Sequence, residues 1–225
     1  MKRDYLNGTP YTLYQKPGMY HFNSDTELLG RFIEVKHNDT VLDIGCAGGA
    51  LLLYANMHEP ASLTGIDLFE EVIEQARENL AYNSVEAELI AARIQDFKGR
   101  QFSLILCNPP YFKTVNPDLI NENPVLAAAR HEKYLSMDDL FASAARLMKD
   151  GGRFMMVHRA SRINDLFETA ALYGLRCTRM KIAYETEGRR AKSAAMEFRR
   201  TKQAEIRIEP PAYMDRRDTF SERGK

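Results

Sequence analysis

The stretch that decides the fold is residues 40–49, which read TVLDIGCAGG. β-Branched and apolar residues over Thr40–Ile44 are typical of a buried strand, and the apolar run over 50–57 is typical of a helix. A second apolar strand is predicted over 62–66 and ends at Asp67. A strand, a glycine-rich loop, a helix and another strand together predict an α/β domain built on a parallel sheet.

The same alternation continues along most of the chain, which predicts a doubly wound, Rossmann-like sheet with helices on both faces. Gly151 and Gly152 are expected to end the helix that precedes them. We predict helices over 70–79, 136–148 and 161–173, and strands over 87–91, 104–107, 154–158, 177–184 and 194–199.

The two ends of the chain lie outside this alternation. Residues 19–32 predict a short amphipathic helix capped by Ser24 or Asp25, with Glu27 at capping-box spacing from Ser24. We expect residues 1–36 to form a segment that docks on a main domain over 37–200. Residues 201–225 are charged and contain prolines, so part of this tail is expected to be disordered.

The composition is that of an ordinary globular domain, with 44% apolar and 28% charged residues in a chain of 225. The sequence has no apolar run of about 18 residues and no apolar signal-peptide core near Met1, so we predict a cytoplasmic protein without membrane contact. Three cysteines are far apart and form no CxxC pair. This spacing predicts neither a disulfide framework nor a metal site.

The charges are unevenly distributed although the net charge is zero. Residues 1–150 hold 14 basic and 21 acidic residues, whereas residues 151–225 hold 17 and 10. Nine basic residues fall within 176–202, among them Arg189, Arg190 and Lys192. A face that contacts nucleic-acid phosphates and an ordinary solvated surface both explain this charge.

Two carboxylates flank the glycine loop in a pattern typical of nucleoside binding. Asp67 follows the second strand, where a carboxylate can accept from ribose hydroxyls. A dinucleotide fingerprint beginning at Gly45 needs glycines at positions 47 and 50, and both are alanine. An anionic Asp43 is unfavourable beside a pyrophosphate but suits an ammonium group. The loop therefore suits a ligand that has an adenosine and an amino-acid end but no phosphate. S-adenosylmethionine has these features, and we predict it as the cofactor.

Further cofactor contacts are assigned to the glycine loop and to the loop after the third strand. Gly45 and Gly49 permit close approach of the backbone, and Ala47 lies between them. Asp96 and Phe97 are predicted to hold the amino group and the ring face of the adenine.

The fourth strand stops at Asn108-Pro109-Pro110-Tyr111, at the sheet edge where ligands bind in open α/β folds. An amino group conjugated to a heterocycle or a carbonyl is a poor nucleophile because its lone pair is delocalised. The Asn108 side-chain oxygen and the Pro109 carbonyl can accept its two hydrogens, and Tyr111 can stack on a planar group. An ordinary turn after a buried strand is the alternative for these four residues.

Residues 116–130 contain Asn-Pro twice and few apolar residues, so we predict a flap over the substrate. Arg130 and His131 follow it and can meet a phosphate or a base. Capping of a helix explains these two residues equally well.

Together the loop, Asp67 and Asn108–Tyr111 resemble the class I S-adenosylmethionine-dependent methyltransferases that act on amino nitrogen. More narrowly, the chain resembles the tRNA (adenine-N6) methyltransferases that modify the adenine next to the anticodon of a valine tRNA. The narrower likeness rests on residues 22–26, 129–132, 157–159 and 210–211, which read FNSDT, ARHE, VHR and PP.

The resemblance implies a mostly parallel sheet with an antiparallel last strand, and transfer of a methyl group to N6 of an adenine in a single-stranded anticodon loop. Ala47 departs from the family, which usually has glycine there, and weakens cofactor binding if that position needs a positive φ. Glutamine-N5 of release factors and guanine-N2 of ribosomal RNA remain alternative acceptors. A catalytically silent module that binds the cofactor or RNA also remains open.

Overall fold

The computed structural model describes residues 2–19, 21–111, 134–202 and 205–214. The chain opens with an antiparallel hairpin, β1 (Lys2–Tyr5) and β2 (Thr12–Gln15), followed by helix α1 (Ser24–Phe32). The hairpin is absent from the sequence-based assignment because each strand has only four residues.

Nine strands of the described residues form the central sheet, and the strands of its middle are parallel as predicted. Their spatial order is β5-β4-β3-β6-β7-β9-β8, with β10 and β11 both beside β8. β9 is antiparallel to both of its neighbours, which confirms the expected antiparallel last strand of the main sheet. The strands are β3 (Thr40–Ile44), β4 (Ser62–Asp67), β5 (Glu88–Ala91), β6 (Phe102–Cys107), β7 (Met148–Arg159), β8 (Arg176–Tyr184), β9 (Ala191–Arg199), β10 (Arg207–Ile208) and β11 (Ala212–Tyr213).

Helices cover both faces of this sheet, as a doubly wound fold requires. Alternate residues of β6 point to opposite faces of the sheet. Leu104 and Leu106 belong to the apolar cluster that packs with α1–α3, whereas Ile105 and Cys107 belong to a second apolar cluster on the opposite face. The helices after α1 are α2 (Ala50–Asn56), α3 (Glu70–Tyr82), α4 (Met137–Leu147) and, after a 3₁₀ turn at Ala160–Arg162, α5 (Ile163–Leu172).

Two local assignments from the sequence were wrong. Gly151 and Gly152 do not end a helix: α4 stops at Leu147, and both glycines lie within β7. They occupy an irregularity where the pairing with β6 shifts, and a Cβ on Gly152 would lie 2.6 Å from the Met148 side chain. The ladder therefore has no room for a side chain at position 152, whereas Gly151 has open space but a φ of +72°.

The cap of α1 is Asn23, not Ser24 or Asp25. The Asn23 side-chain oxygen accepts from the backbone N–H groups of Asp25 and Thr26, at 3.0 and 3.2 Å. Asp25 is instead buried and accepts from the Ser193 hydroxyl at 2.6 Å. That bond ties α1 to β9, so the amino-terminal segment packs against the main sheet.

Candidate active site

A cleft opens at the carboxyl edge of the sheet, where β3, β4 and β6 end. It encloses about 1180 Å³ of empty space, counting its open mouth. Its lining brings together most of the residues that the sequence predicts for cofactor and substrate. These are Asp43, Gly45, Ala47, Asp67, Asn108, Pro109 and Pro110.

The glycine loop between β3 and α2 contains three residues in the left-handed region. Gly45, Ala47 and Gly49 have φ values of +72°, +46° and +85°. The N–H of Gly45 donates to the Ile66 carbonyl at 2.8 Å, which ties the loop to β4. Gly49 is the N-cap of α2 and lies outside the cleft lining. Ala47 thus has the positive φ that makes alanine sterically unfavourable at this position of the loop.

Asp43 is a carboxyl group in the cleft lining with only 1% of its surface exposed. Neither of its oxygens has a hydrogen-bond partner within the part of the chain that the structure describes. Burial, and secondarily the charge of Asp67, raises the pKa of Asp43 to about 8. In the free protein Asp43 therefore stays largely protonated at neutral pH, and a cation beside it would favour the anionic form that the sequence analysis expects.

Asp67 ends β4 and faces the glycine loop. Its Oδ2 accepts from the N–H of Ala47 at 3.1 Å, and its Oδ1 accepts from the N–H of Leu68 at 2.8 Å. Burial outweighs these bonds and raises the pKa of Asp67. The N–H of Phe69 also bonds this carboxyl group, which leaves one of its four lone pairs to accept from a ribose hydroxyl.

The Asn108 side chain is held from both ends. Its Nδ2 donates to the Thr26 hydroxyl at 2.9 Å, and its Oδ1 accepts from the Tyr111 hydroxyl at 2.6 Å. The Thr26 hydroxyl donates to the Asn23 side-chain oxygen at 3.5 Å, which leaves its lone pairs for Asn108. Sequence reasoning missed Thr26 as a site residue, although residues 22–26 carry part of the family likeness.

Tyr111 lies among groups from the end of β7. The His158 ring is 5.0 Å from the Tyr111 ring, and the Arg159 guanidinium lies 5.0 Å from the Tyr111 ring centroid. Burial, and then the charge of Arg162, lowers the pKa of His158 to about 4, so this imidazole is neutral at physiological pH. The N–H of Arg159 donates to its Nδ1 at 2.9 Å.

Asp96 and Phe97 do not line the described cleft, and their assignment to the adenine stays a prediction. The Phe97 ring lies 6.2 Å from that of Phe102, and Asp96 is exposed. The chain turns away from the cleft just before them, because the N–H of Asp96 donates to the Arg93 carbonyl at 3.0 Å. The cleft wall at this point is made by Ile94, Gln95, Phe69 and Tyr134.

The predicted RNA-contacting residues fall in two places. Arg130 and His131 lie outside the described residues. Arg189 and Arg190 are exposed between β8 and β9, and Lys192 lies 3.9 Å from Glu185. Because β8 runs parallel to the central strands, this loop is at the same sheet edge as the cleft, although none of the three lines it.

Within the described ranges, no helix is long and apolar enough to cross a membrane. The same residues contain no group of three or more His, Cys, Asp or Glu side chains suited to hold a metal ion.

The strand order, the antiparallel β9 and a ligand cleft beyond β3 and β4 define a class I methyltransferase fold. A methyltransferase from Pyrococcus furiosus has a similar structure, with a TM-score of 0.64 at 15% identity over 86% of this chain and 91% of that one.

The model of the methyltransferase domain family matches residues 35–204. A tRNA1(Val) (adenine(37)-N6)-methyltransferase from Shewanella halifaxensis is 30% identical over 74% of this chain and 69% of its own length. One of the same name from Dyadobacter fermentans is 28% identical over 87% and 82%. The chain belongs to the methyltransferase domain family and, within it, to the family of these tRNA1(Val) (adenine(37)-N6)-methyltransferases.

The residues of the cleft fit S-adenosylmethionine, the methyl donor of this class. The partnerless Asp43 carboxyl suits its ammonium group, and Asp67 suits its ribose. No Lys or Arg apart from Arg93 lines the described cleft, in keeping with a ligand that carries no phosphate.

We expect Asp43→Asn to remove a pH dependence from the stability of the free protein. The pKa of Asp43 is about 8 in the folded protein, compared with about 3.9 in an unfolded chain. Between these values the folded protein keeps a proton that the unfolded chain has lost, so stability falls by about 1.4 kcal/mol per pH unit as pH rises.

Urea denaturation between about pH 5 and pH 7 measures this effect. The free energy of unfolding of the variant minus that of the wild type should increase with pH. A difference that stays constant would show that Asp43 ionises normally.

Ala47→Gly should raise the free energy of unfolding by about 1 kcal/mol, because glycine adopts a φ of +46° without the steric cost of a Cβ. Ala81→Gly is the matched control: Ala81 is exposed near the end of α3, and the same exchange there should lower stability by up to about 1 kcal/mol. Thermal or urea unfolding gives both values, and destabilisation by both variants argues against strain at Ala47.

Proposed function

We propose that this chain transfers a methyl group from S-adenosylmethionine to N6 of an adenine in tRNA, next to the anticodon. The observation that carries the proposal is one cleft that joins a partnerless buried carboxyl to Asn108, Pro109 and Pro110. The names of the relatives, which specify adenine 37 of a valine tRNA, support the choice of acceptor.

When bound, S-adenosylmethionine supplies a methyl group on a positively charged sulfur, which a nitrogen lone pair can attack. The chain's own residues hold the amino group that receives it. Asn108 Oδ1 and the Pro109 carbonyl accept its two hydrogens, which concentrates the lone pair on nitrogen. Each of these residues precedes a proline and is restricted to extended conformations, so both acceptors are oriented before the substrate arrives.

The contacts of Asn108 favour this role. Its amide nitrogen donates to Thr26, so its oxygen is turned toward Tyr111, whose hydroxyl takes one lone pair. The second lone pair is left for the amino group of the substrate. The Tyr111 ring then offers a stacking surface, which contributes roughly 1–3 kcal/mol per base in single-stranded nucleic acids.

The charges around Tyr111 favour a nucleic acid over a protein glutamine. The Arg159 guanidinium lies over the Tyr111 ring and makes no ion pair with a carboxylate of the described residues. Arg189 and Arg190 are exposed at the same sheet edge. Both groups of cations would strengthen the binding of a polyanion such as RNA. The free energy needed to extrude a base is small where the base is already unpaired, as in an anticodon loop.

Methyl transfer to unmodified tRNA, followed by mass spectrometry of the nucleosides, tests the proposal. N6-methyladenosine next to the anticodon of valine tRNA is the expected product. Methylglutamine in a release factor assayed in parallel, or N2-methylguanosine in ribosomal RNA, would show that the proposed acceptor is wrong, although methyl transfer to an amino nitrogen would stand. Absence of transfer to all three would overturn the proposal.

Asn108→Ala should lower kcat by about 10²–10³ because it removes an acceptor for the reacting amino group. Thr26→Val, which removes only the hydroxyl that orients Asn108, should lower kcat by about tenfold. Because both act on one contact, Thr26→Val should have no further effect in the Asn108→Ala background. Single-turnover rates at saturating S-adenosylmethionine measure this, and additive losses would show that Thr26 does not act through Asn108.

A further inference from the structure

A second acceptor without a partner lies in the same cleft as Asp43. Gln75, on α3, lines the cleft with 3% of its surface exposed. Its Oε1 atom is buried and has no hydrogen-bond partner among the described residues. Asp43 and Gln75 are the only described side chains with such an acceptor, and both lie in this cleft. A buried acceptor without a partner costs stability unless a ligand satisfies it.

The orientation of the Gln75 amide follows from its other contact. Its nitrogen donates to the backbone carbonyl of Tyr14 at 3.1 Å. A carbonyl can only accept, so the NH₂ group must face Tyr14 and the oxygen must be the atom left over.

The contact with Tyr14 belongs to a row of amide side chains by which α3 holds the hairpin. Asn79 accepts from the N–H of Tyr14 at 2.8 Å and donates to its carbonyl at 3.1 Å, and Asn83 does the same to Thr12 at 3.0 and 2.7 Å. These side chains pair with β2 much as a neighbouring strand would. Asn79 also donates to the carbonyl of Gly48 at 2.9 Å, which connects the hairpin to the glycine loop.

The hairpin segment thereby forms a wall of the cofactor cleft. Leu13, Gln15 and Phe22 all line it, opposite residues of the parallel sheet. Gln15 is itself fixed there, because its Oε1 accepts from the N–H of Phe22 at 2.8 Å.

We propose that Gln75 Oε1 is the second acceptor, with Asp43, for the ammonium group of the cofactor. An ammonium group has three N–H donors and no acceptor, so one carboxyl group and one amide oxygen suit it. The same Gln75 side chain holds the hairpin through Tyr14, so recognition of the amino-acid end is coupled to the amino-terminal segment. This inference rests on S-adenosylmethionine being the methyl donor.

The test compares two ligands by calorimetry. S-adenosylhomocysteine carries the ammonium group, whereas methylthioadenosine keeps the adenosine and the sulfur but lacks the amino-acid end. Gln75→Met should weaken binding of S-adenosylhomocysteine about tenfold more than binding of methylthioadenosine, because a hydrogen bond to a charged group is lost.

Asn83→Ala is the matched control, since it removes a hairpin contact but does not line the cleft. It should affect both ligands equally. Gln75→Glu keeps an oxygen acceptor and should retain the preference for S-adenosylhomocysteine. This variant provides a test even if Gln75→Met does not fold.

If Gln75→Met weakens the binding of both ligands equally, or if Gln75→Glu loses the preference for S-adenosylhomocysteine, the inference is overturned. The assignment of S-adenosylmethionine as the methyl donor would still stand. Failure of the wild-type protein to bind S-adenosylhomocysteine would instead overturn the proposed function together with the inference.

Discussion

The rest of the site depends on one buried carboxyl group, that of Asp43, which has no hydrogen-bond partner in the described part of the chain. An ionised carboxylate sealed from water is strongly unfavourable, and Asp43 avoids this by keeping its proton to about pH 8. The buried Asp43 carboxyl group destabilises the free protein, and a cation bound in the cleft would offset this destabilisation. We therefore propose that this carboxyl group favours a ligand with an ammonium group at the carboxyl edge of the sheet.

The amino-terminal segment supplies the other half of the site. Helix α1 carries Thr26, which orients the Asn108 amide, and the preceding hairpin closes the cofactor cleft through α3. Asp25 fixes the same helix to β9 through Ser193. The parallel sheet supplies the acids and the acceptors, while Thr26, which lies before the sheet, orients the Asn108 amide. Removal of this segment would take away the hydroxyl that orients Asn108.

The strands from β3 to β9 and the acids at the sheet edge could be predicted because each rests on a local pattern. Apolar runs that end at Ile44, Ile66 and Cys107 place Asp43, Asp67 and Asn108 at or next to the strand ends, whatever the distant contacts are. The contacts of Thr26 and Gln75 could not be predicted, because they span 82 and 61 residues and depend on how α1 and the hairpin dock. The surroundings of Phe97 could not be predicted for a similar reason: one turn at Arg93 decides whether a loop residue faces the cleft or the neighbouring Phe102.

The most direct test of this account is the number of protons released when S-adenosylmethionine binds at about pH 6.5. Calorimetry in buffers of different ionisation enthalpy gives that number. Because Asp43 is protonated in the free protein and should ionise beside the ammonium group, we predict release of about one proton by the wild type and none by Asp43→Asn. A binding heat that is the same in every buffer for the wild type would contradict the central role of Asp43.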